Sequence, residues 1–194
     1  MQVFEEHHLL DKARLGNPAA LEKLVATHSQ AAFTLAMRIL RHREEAEEVV
    51  QDAFTKAFAS LGQFRGQSRF STWLYRIVYT TALNCAARKR PQHQELDIWA
   101  EECTDLAGAT ERFELLELAE RKHFTDLALQ TLTPEERGMV TLHYYEDRPL
   151  AEIAEITGLT PANVKIKLYR ARQKLAATLE TLLGKELDLW KSRT

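Results

Sequence analysis

Residues 64–76 read FRGQSRFSTWLYR and combine three arginines with four aromatic side chains, without any acidic residue. Arginine guanidinium groups bind phosphates, and aromatic rings offer surfaces on which unpaired bases stack. A base turned out of a duplex also needs apolar walls with a few hydrogen-bonding groups. The stretch could therefore hold single-stranded nucleic acid. Aromatic residues beside helix ends are more commonly core residues, so we expect at least two of Phe64, Phe70 and Trp73 to be partly structural.

The sequence predicts a helix directly after this loop, capped by Ser71 and Thr72 and running to about Arg90. One side of the helix carries an apolar stripe that would pack inward. The opposite side carries a polar stripe that recurs every four residues: Arg76, Thr80, Asn84 and Arg88. No acidic residue occurs between Asp52 and Glu95, where seven lysines and arginines lie. Loop and helix together predict a basic surface for nucleic acid.

A second pattern lies in residues 150–175, LAEIAEITGLTPANVKIKLYRARQKL. A short helix, 150–157, would end at Gly158, which can adopt the left-handed conformation of a tight turn. Thr160 and Pro161 would then start a second helix after a three-residue turn. This arrangement predicts a helix-turn-helix.

The second helix of this motif has a basic face that suits the major groove of DNA. Four apolar residues at helical spacing form its predicted inward side: Val164, Leu168, Ala171 and Leu175. No acid occurs from Thr157 through Leu179, against five bases. Residues near the start of such a helix reach base edges, and lysines and arginines reach phosphates. We therefore expect duplex DNA binding, although a basic face alone also occurs on ordinary surface helices.

The charges are segregated, although the formal net charge is only −2. Residues 91–120 carry nine acids against one base, and the segments on either side are both net basic. We interpret 1–90 as one small helical domain, 91–109 as an acidic linker and 110–194 as a second helical domain. An acidic linker between two basic modules would be held away from DNA by charge repulsion.

Helix signals dominate the rest of the chain. Thr133 and Glu136 form a capping box, with Pro134 at the first helical position. Residues 44–61 carry an apolar stripe of helical period, formed by Val50, Ala53, Phe54, Ala57, Phe58 and Leu61. Hairpin signals and long alternating β-branched runs are absent. These patterns predict an all-α fold.

Other kinds of chemistry find little support. Cys85 and Cys103 lack the spacing of a zinc site or a disulfide scaffold and suit a reducing compartment. The seven histidines are scattered, without a metalloprotease, nucleophile-elbow or phosphate-loop motif, so we expect no enzyme activity, metal or cofactor. The N-terminus lacks the apolar run of a signal peptide, and no stretch approaches the ~18 apolar residues of a membrane span. We therefore expect a cytoplasmic protein without membrane insertion.

Residues 47–90 and 132–175 resemble the second and fourth conserved regions of the sigma-70 superfamily, in its compact extracytoplasmic-function group. The resemblance implies a dissociable initiation subunit that binds core RNA polymerase and promoter DNA. It implies −35 recognition by the helix-turn-helix, through Ala162, Asn163, Lys165, Ile166, Lys167, Arg170 and Arg172. It implies −10 recognition and opening by the loop and the following helix, through Arg65, Gln67, Ser68, Arg69, Phe70, Trp73, Arg76, Thr80, Asn84 and Arg88.

The same resemblance implies a polymerase-binding patch on helix 44–61, formed by Glu48, Gln51, Asp52 and Thr55. It implies that the acidic linker threads toward the polymerase cleft. Members of this group are usually held inactive by an anti-sigma factor, which we expect as a further partner. Ile166 lies where the family commonly has a polar residue, and it suggests contact with a thymine methyl group. The −35 specificity therefore stays open.

One rival function uses the same helix-turn-helix. A dimeric repressor or activator that binds DNA without polymerase would account for residues 150–175 and would predict a palindromic site. It would leave the basic aromatic loop unexplained. The sequence also leaves open the promoter, the inducing signal and the conformation of the free chain. A compact free form, in which contact between the domains masks the basic faces, is one hypothesis.

Overall fold

The computed structural model describes residues 2–89 and 118–191, and in both ranges the chain is helical with no strand. The first range contains α1 (Gln2–Arg14), α2 (Pro18–Leu40), α3 (Arg43–Ala59), a 3₁₀ turn (Leu61–Gln63) and α4 (Phe70–Lys89). The second contains α5 (Leu118–Leu129), α6 (Pro134–Tyr144), α7 (Leu150–Thr157) and α8 (Pro161–Lys191). The all-α prediction is confirmed, and the predicted linker lies outside the described residues. None of the described helices is long and apolar enough to span a membrane.

Helices α2, α3 and α4 pack against one another and form the first half of the fold. Helix α2 starts at Pro18, where the side chain of Asn17 accepts a hydrogen bond from the Ala20 amide at 3.1 Å. It ends at Arg41, whose left-handed backbone (φ 60°) turns the chain into α3. The predicted apolar stripe of α3 is buried in this bundle, with Phe58 partly buried. Burial of that stripe aims the opposite face of α3 at solvent.

The helix signals predicted for the second half are confirmed. Thr133 Oγ1 accepts from the Glu136 amide at 3.2 Å, and Glu136 Oε2 accepts from the Thr133 amide at 2.9 Å, which completes the capping box. Helix α7 ends at Gly158 with φ 75°, and α8 starts at Pro161. The inward side of α8 is buried at Val164, Leu168 and Ala171, as the helix-turn-helix requires.

Helix α4 begins at Phe70, ahead of the two residues predicted to cap it. Ser71 and Thr72 therefore lie in its first turn instead of capping it from outside, and both are buried. The prediction was wrong because tertiary contacts decide this boundary. The Phe70 ring packs beside Phe64 and Trp73, and the two hydroxyl residues face α7.

The two described halves pack on each other, because α2 and α4 contact α6, and α4 also contacts α7. Gly138 of α6 permits the closest approach. A Cβ atom at this position would lie 2.6 Å from Cε2 of Tyr79 and 3.1 Å from Cδ1 of Ile39. Glycine is therefore required for α6 to sit this near to α4 and α2. The buried apolar core runs continuously from one half into the other.

Two arginines add polar contacts between the halves. Arg137 of α6 donates from Nε to the Arg38 carbonyl at 2.9 Å and from Nη2 to the Ile39 carbonyl at 2.8 Å. These carbonyls belong to the last turn of α2, where helical carbonyls lack intrahelical partners. Arg38 itself pairs with Asp126 of α5 at 2.7 Å and stacks over the Tyr145 ring. The end of α2 is thus held by the second half of the chain.

Burial at this interface predicts a loss of stability at alkaline pH. Burial raises the pKa of Tyr79 well above its ordinary value of 10.0, and the negative charge of Glu135 raises it further. In the unfolded chain the phenol ionises near its ordinary pKa, whereas the folded chain keeps it neutral. The stabilisation is therefore fully present below about pH 10 and is lost above it, by about 1.4 kcal/mol per pH unit.

The measurement is urea unfolding at pH 8 and pH 11 for the parent, Tyr79→Phe and the control Tyr169→Phe, whose ring is 54% exposed. Between pH 8 and pH 11, we expect the free energy of unfolding to fall by about 1 kcal/mol less in Tyr79→Phe than in the parent. The control should behave like the parent. Equal losses in the parent and Tyr79→Phe would contradict the burial of this phenol.

Candidate nucleic-acid interface

The aromatic residues of the loop form one cluster. The Phe64 ring centroid lies 5.2 Å from that of Trp73 and 6.0 Å from that of Phe70, and the last two are 5.8 Å apart. Phe64 and Phe70 are buried and Trp73 is partly buried, which confirms that at least two of the three rings are structural. Phe70, at 1% exposure, has no surface for the DNA contact predicted for it.

The polar residues of the loop point outward around this cluster. Arg65, Gln67 and Arg69 are exposed, and Ser68 is partly exposed. Gly66 has φ 68°, a conformation that glycine adopts without steric cost. The buried rings therefore fix the loop while its guanidinium and amide groups remain available to a ligand.

Arg14 of α1 anchors the start of the loop. Its Nη2 donates to the Phe64 carbonyl and its Nε to the Leu61 carbonyl at 3.4 Å. Its Nη1 pairs with Asp11 at 2.9 Å, which orients the guanidinium. Arg14 carries no functional signal in the sequence. Its pairing with Asp11 at helical spacing is visible in the sequence, but nothing there indicates a partner fifty residues away.

The polar stripe of α4 is exposed along the helix at Arg76, Thr80, Asn84 and Arg88, as predicted. The opposite side, at Leu74, Val78 and Ala82, is buried in the bundle. Thr80 Oγ1 donates to the Arg76 carbonyl at 2.8 Å, so its hydroxyl remains able to accept a hydrogen bond. The loop and the polar stripe of α4 contain no acidic residue. Together they offer a surface that could contact a negatively charged nucleic-acid strand.

The start of α8 presents a second surface. Ala162, Asn163, Lys165 and Ile166 are exposed, with Ile166 at 49%. Thr160 Oγ1 accepts from the Asn163 amide at 3.3 Å and fixes the first turn. An exposed isoleucine among polar residues is suited to an apolar contact in a DNA groove.

Acidic side chains of α6 hold two lysines of α8. Lys167 Nζ lies 3.5 Å from Glu135 Oε2, and Lys174 Nζ lies 2.8 Å from Glu136 Oε1. Farther along the helix, the Arg172 guanidinium lies 5.9 Å from the Tyr169 ring, and both side chains are exposed together with Arg170. Sequence reasoning missed the two ion pairs, because they join separate helices. They place the lysine charges beside α6 at one side of the α8 surface.

The third predicted patch lies on α3. Glu48, Gln51, Asp52 and Thr55 are all exposed, on the side opposite the buried stripe. Asp52 lies 4.0 Å from Lys56 in a solvent-exposed pair, which contributes little to stability. The patch is therefore available to a partner.

One group of contacts between the halves was missed by the sequence analysis. Glu152 of α7 accepts hydrogen bonds from Thr72 at 3.2 Å and Arg148 at 3.3 Å, and its other oxygen lies 3.9 Å from Nη1 of Arg69. Arg148 also donates to Ser71 Oγ at 3.3 Å and stacks over the Tyr75 ring. The start of α4 thus meets the first helix of the helix-turn-helix.

A cleft of about 420 Å³ continues this contact. Arg76 lines one side, and α7 with the turn at Gly158, Leu159 and Pro161 lines the other. The first member of the polar stripe therefore faces the helix-turn-helix. Within residues 2–89 and 118–191, no cluster of three or more His, Cys, Asp or Glu could hold a metal ion.

Comparison with known proteins matches both surfaces to one family. Residues 24–91 match the family described as Sigma-70 region 2, and residues 125–175 match Sigma-70, region 4. The chain is 29% identical over 186 residues to the RNA polymerase sigma-H factor of Pseudomonas aeruginosa, covering 92% of this chain and 96% of the relative. It is 29% identical over 181 residues to the ECF RNA polymerase sigma-E factor of Escherichia coli K12, covering 90% and 94%.

A solved structure has a similar fold. CnrH, determined in complex with the cytosolic domain of CnrY, aligns with a TM-score of 0.65 and 26% sequence identity. The alignment covers 91% of this chain and 97% of CnrH. The similarity therefore extends over both halves of the chain.

The Arg14 anchor predicts a local effect on the loop. Arg14→Ala removes the donors to the Leu61 and Phe64 carbonyls, and we expect the free energy of unfolding to fall by about 1 kcal/mol. Hydrogen exchange of the amides in 62–69 should accelerate by about tenfold, because local opening becomes easier. Both quantities can be measured on the same samples.

The control for this variant is Arg43→Ala, which removes an exposed pair between Arg43 and Glu47 on α3. Its free energy of unfolding should change by less than about 0.5 kcal/mol, with exchange in 62–69 unaffected. Unchanged exchange of these amides in Arg14→Ala would show that Arg14 does not hold the loop.

Proposed function

Because the chain belongs to the sigma-70 family, as an extracytoplasmic-function sigma factor that directs promoter-specific transcription initiation, we propose how its three surfaces divide the work between promoter DNA and core RNA polymerase. The exposed start of α8 reads the −35 element. The loop and the polar stripe of α4 bind and open the −10 element. The outward face of α3 binds polymerase. The observation that carries this division is the presence of two separate DNA-type surfaces on one chain, which a polymerase-independent repressor does not need.

At the −35 element, Ala162, Asn163 and Ile166 near the start of α8 contact base edges, and lysines and arginines of the helix contact phosphates. Asn163 has both a donor and an acceptor for a base edge, and Ile166 offers an apolar contact for a thymine methyl group. The proposed set is Ala162, Asn163, Lys165, Ile166, Lys167, Arg170 and Arg172.

At the −10 element, the loop captures the strand that separates from the duplex. Its arginines bind phosphates, and the accessible part of Trp73 offers a stacking surface. Phe70 contributes by packing the loop from inside, since its ring is buried. The proposed contacting residues are Arg65, Gln67, Ser68, Arg69, Trp73, Arg76, Thr80, Asn84 and Arg88.

The polymerase contact uses Glu48, Gln51, Asp52 and Thr55 on α3, and their exposure supports this assignment. We further propose division of the chain into residues 1–90, an acidic linker at 91–109 and residues 110–194. The chain acts in the cytoplasm, where polymerase and promoters meet, and it has no catalytic activity of its own. CnrH was solved with the cytosolic domain of a second protein, CnrY. An anti-sigma factor is proposed as a further protein partner of this chain.

Charge reversal on α3 tests the polymerase contact. Core RNA polymerase is mixed with the purified chain and a pool of genomic fragments, and the transcripts are sequenced. Asp52→Arg should reduce chain-dependent transcripts by about tenfold or more, because a like-charge contact at an interface costs several kcal/mol.

The matched control is Glu22→Arg, an exposed charge reversal on α2 outside the patch, which should leave transcription unchanged. The transcript start sites also give the promoter motif. Tight binding to duplex fragments without any polymerase-dependent transcript would refute the sigma-factor mechanism.

Two alanine substitutions test the two proposed DNA surfaces separately. Each variant is measured as the holoenzyme on a promoter identified from the pool of genomic fragments. Lys165→Ala should weaken duplex binding and lower the slope of log affinity against log salt by about 1, because one phosphate contact is lost. Arg76→Ala should leave duplex binding intact and lower the fraction of opened promoters, read by permanganate reactivity of unpaired thymines. Lys23→Ala, exposed on α2, is the control. Equal loss of both steps in both variants would contradict the division.

A further inference from the structure

Lys174 is a basic residue of α8 that lies outside the set proposed for the −35 element. It follows Lys167 by seven residues, about two helical turns, so both lysines lie on the same side of the helix. At a rise of about 1.5 Å per residue, Lys174 lies about 10 Å farther along the axis. Its side chain is 50% exposed. A lysine with this position and exposure can reach the DNA backbone beside a helix that enters the major groove.

Glu136 of α6 holds this lysine in place. Its Oε1 accepts a hydrogen bond from Nζ of Lys174 at 2.8 Å, and its Oε2 accepts from the Thr133 amide at 2.9 Å in the capping box. The Glu136 side chain is only 13% exposed. One carboxylate therefore completes the cap of α6 and pairs with a cation of α8. It cannot turn toward solvent without losing hydrogen bonds on both sides.

The neighbouring pair of Glu135 and Lys167 is more open. Its two atoms are 3.5 Å apart, and the Glu135 side chain is 56% exposed. An exposed ion pair of this kind is weak, so the carboxylate can move into solvent when a phosphate approaches the lysine. Lys167 is thus available to DNA, whereas Lys174 faces a carboxylate that the cap of α6 keeps in place.

The Glu136–Lys174 pair contributes little to the stability of the fold. Ion pairs in which the lysine remains half exposed are weak. Glutamine serves at the third position of a capping box as glutamate does, so the cap does not require a negative charge. The charge of Glu136 therefore has its main effect on Lys174.

We propose that Glu136 is a positioning residue for the DNA-binding face of α8, where it holds Lys174 away from phosphates and limits the number of backbone contacts that the helix makes. The proposal rests on the proposed function, in which α8 binds duplex DNA. Phosphate contacts raise the affinity for every sequence alike. With one such contact fewer, the base contacts of Asn163 and Ile166 account for a larger share of the binding.

Glu136→Gln tests the proposal, because glutamine keeps the capping box and removes the charge. The matched control is Glu155→Gln, which removes the same charge from an exposed position on α7. Lys174→Ala, alone and combined with Glu136→Gln, determines whether the gain in binding passes through this lysine. Lys165→Ala reports in the same assay whether α8 is the surface that binds.

Each variant of the whole chain is titrated against a fluorescent DNA duplex of mixed sequence at several salt concentrations, and the slope of log affinity against log salt is determined. We expect Glu136→Gln to steepen this slope by about 0.9 and to raise the affinity about fivefold at about 0.15 M salt, because one more phosphate is neutralised. Lys174→Ala, the combined variant and Glu155→Gln should keep the parent slope. Circular dichroism and thermal unfolding verify that every variant is folded.

Four results would overturn the proposal. The first is an unchanged slope, or no measurable binding, for Glu136→Gln. The second is a shallower slope for Lys174→Ala in the parent chain, because the lysine would then already contact a phosphate. The third is a gain that persists in the combined variant, and the fourth is an equal gain in Glu155→Gln, which would indicate a general effect of net charge.

Failure of the proposed function gives different results. Lys165→Ala would then leave duplex binding unchanged, and the parent would give no polymerase-dependent transcripts. The comparison of Glu136→Gln with the combined variant does not use polymerase. It decides in either case whether Lys174 gains a phosphate contact.

Discussion

The guanidinium of Arg137 joins the two halves of the chain by completing the end of α2. The carbonyls of Arg38 and Ile39 lie in the last turn of that helix, where no following helical amide can reach them. Arg137 donates to both and also to the Leu132 carbonyl of its own half, so one planar group satisfies acceptors on each side. A cation at a helix C-terminus is also favoured by the helix dipole. The position of α6, and with it that of the helix-turn-helix, follows from this contact.

The contact between the halves combines apolar and polar groups. Gly138 packs against Tyr79 and Ile39 within the buried core shared by both halves, and arginines, carboxylates and hydroxyls lie around it. Polar interfaces between domains of one chain normally permit relative motion. When the halves separate, water can satisfy the carbonyls of α2 and the guanidinium of Arg137. The folded halves therefore lose less on separation than an entirely apolar interface would.

Local signals in the sequence predicted the helices and much of the exposed surface, because capping and amphipathic spacing act over a few residues. The Thr133 capping box, the left-handed Gly158 and the buried Val164 stripe are such cases. The predicted start of α4 lies too late in the sequence, because ring packing, a contact in space, sets the observed start at Phe70. The Arg14 anchor and the Glu152 contacts join residues 47 to 83 positions apart, and no local pattern indicates such partners.

Acidic residues of the second half take part in contacts with both basic helices, α8 and α4. Glu135 and Glu136 hold lysines along one side of the α8 surface without covering its start. Glu152 instead contacts the start of α4, where its carboxylate lies 3.2 Å from Thr72 Oγ1 and 3.9 Å from Arg69 Nη1. Acidic residues of the second half thus leave the start of α8 exposed and contact the buried start of α4. The outward face of α3, which we propose binds polymerase, is exposed in the same arrangement, so that contact does not require the halves to separate.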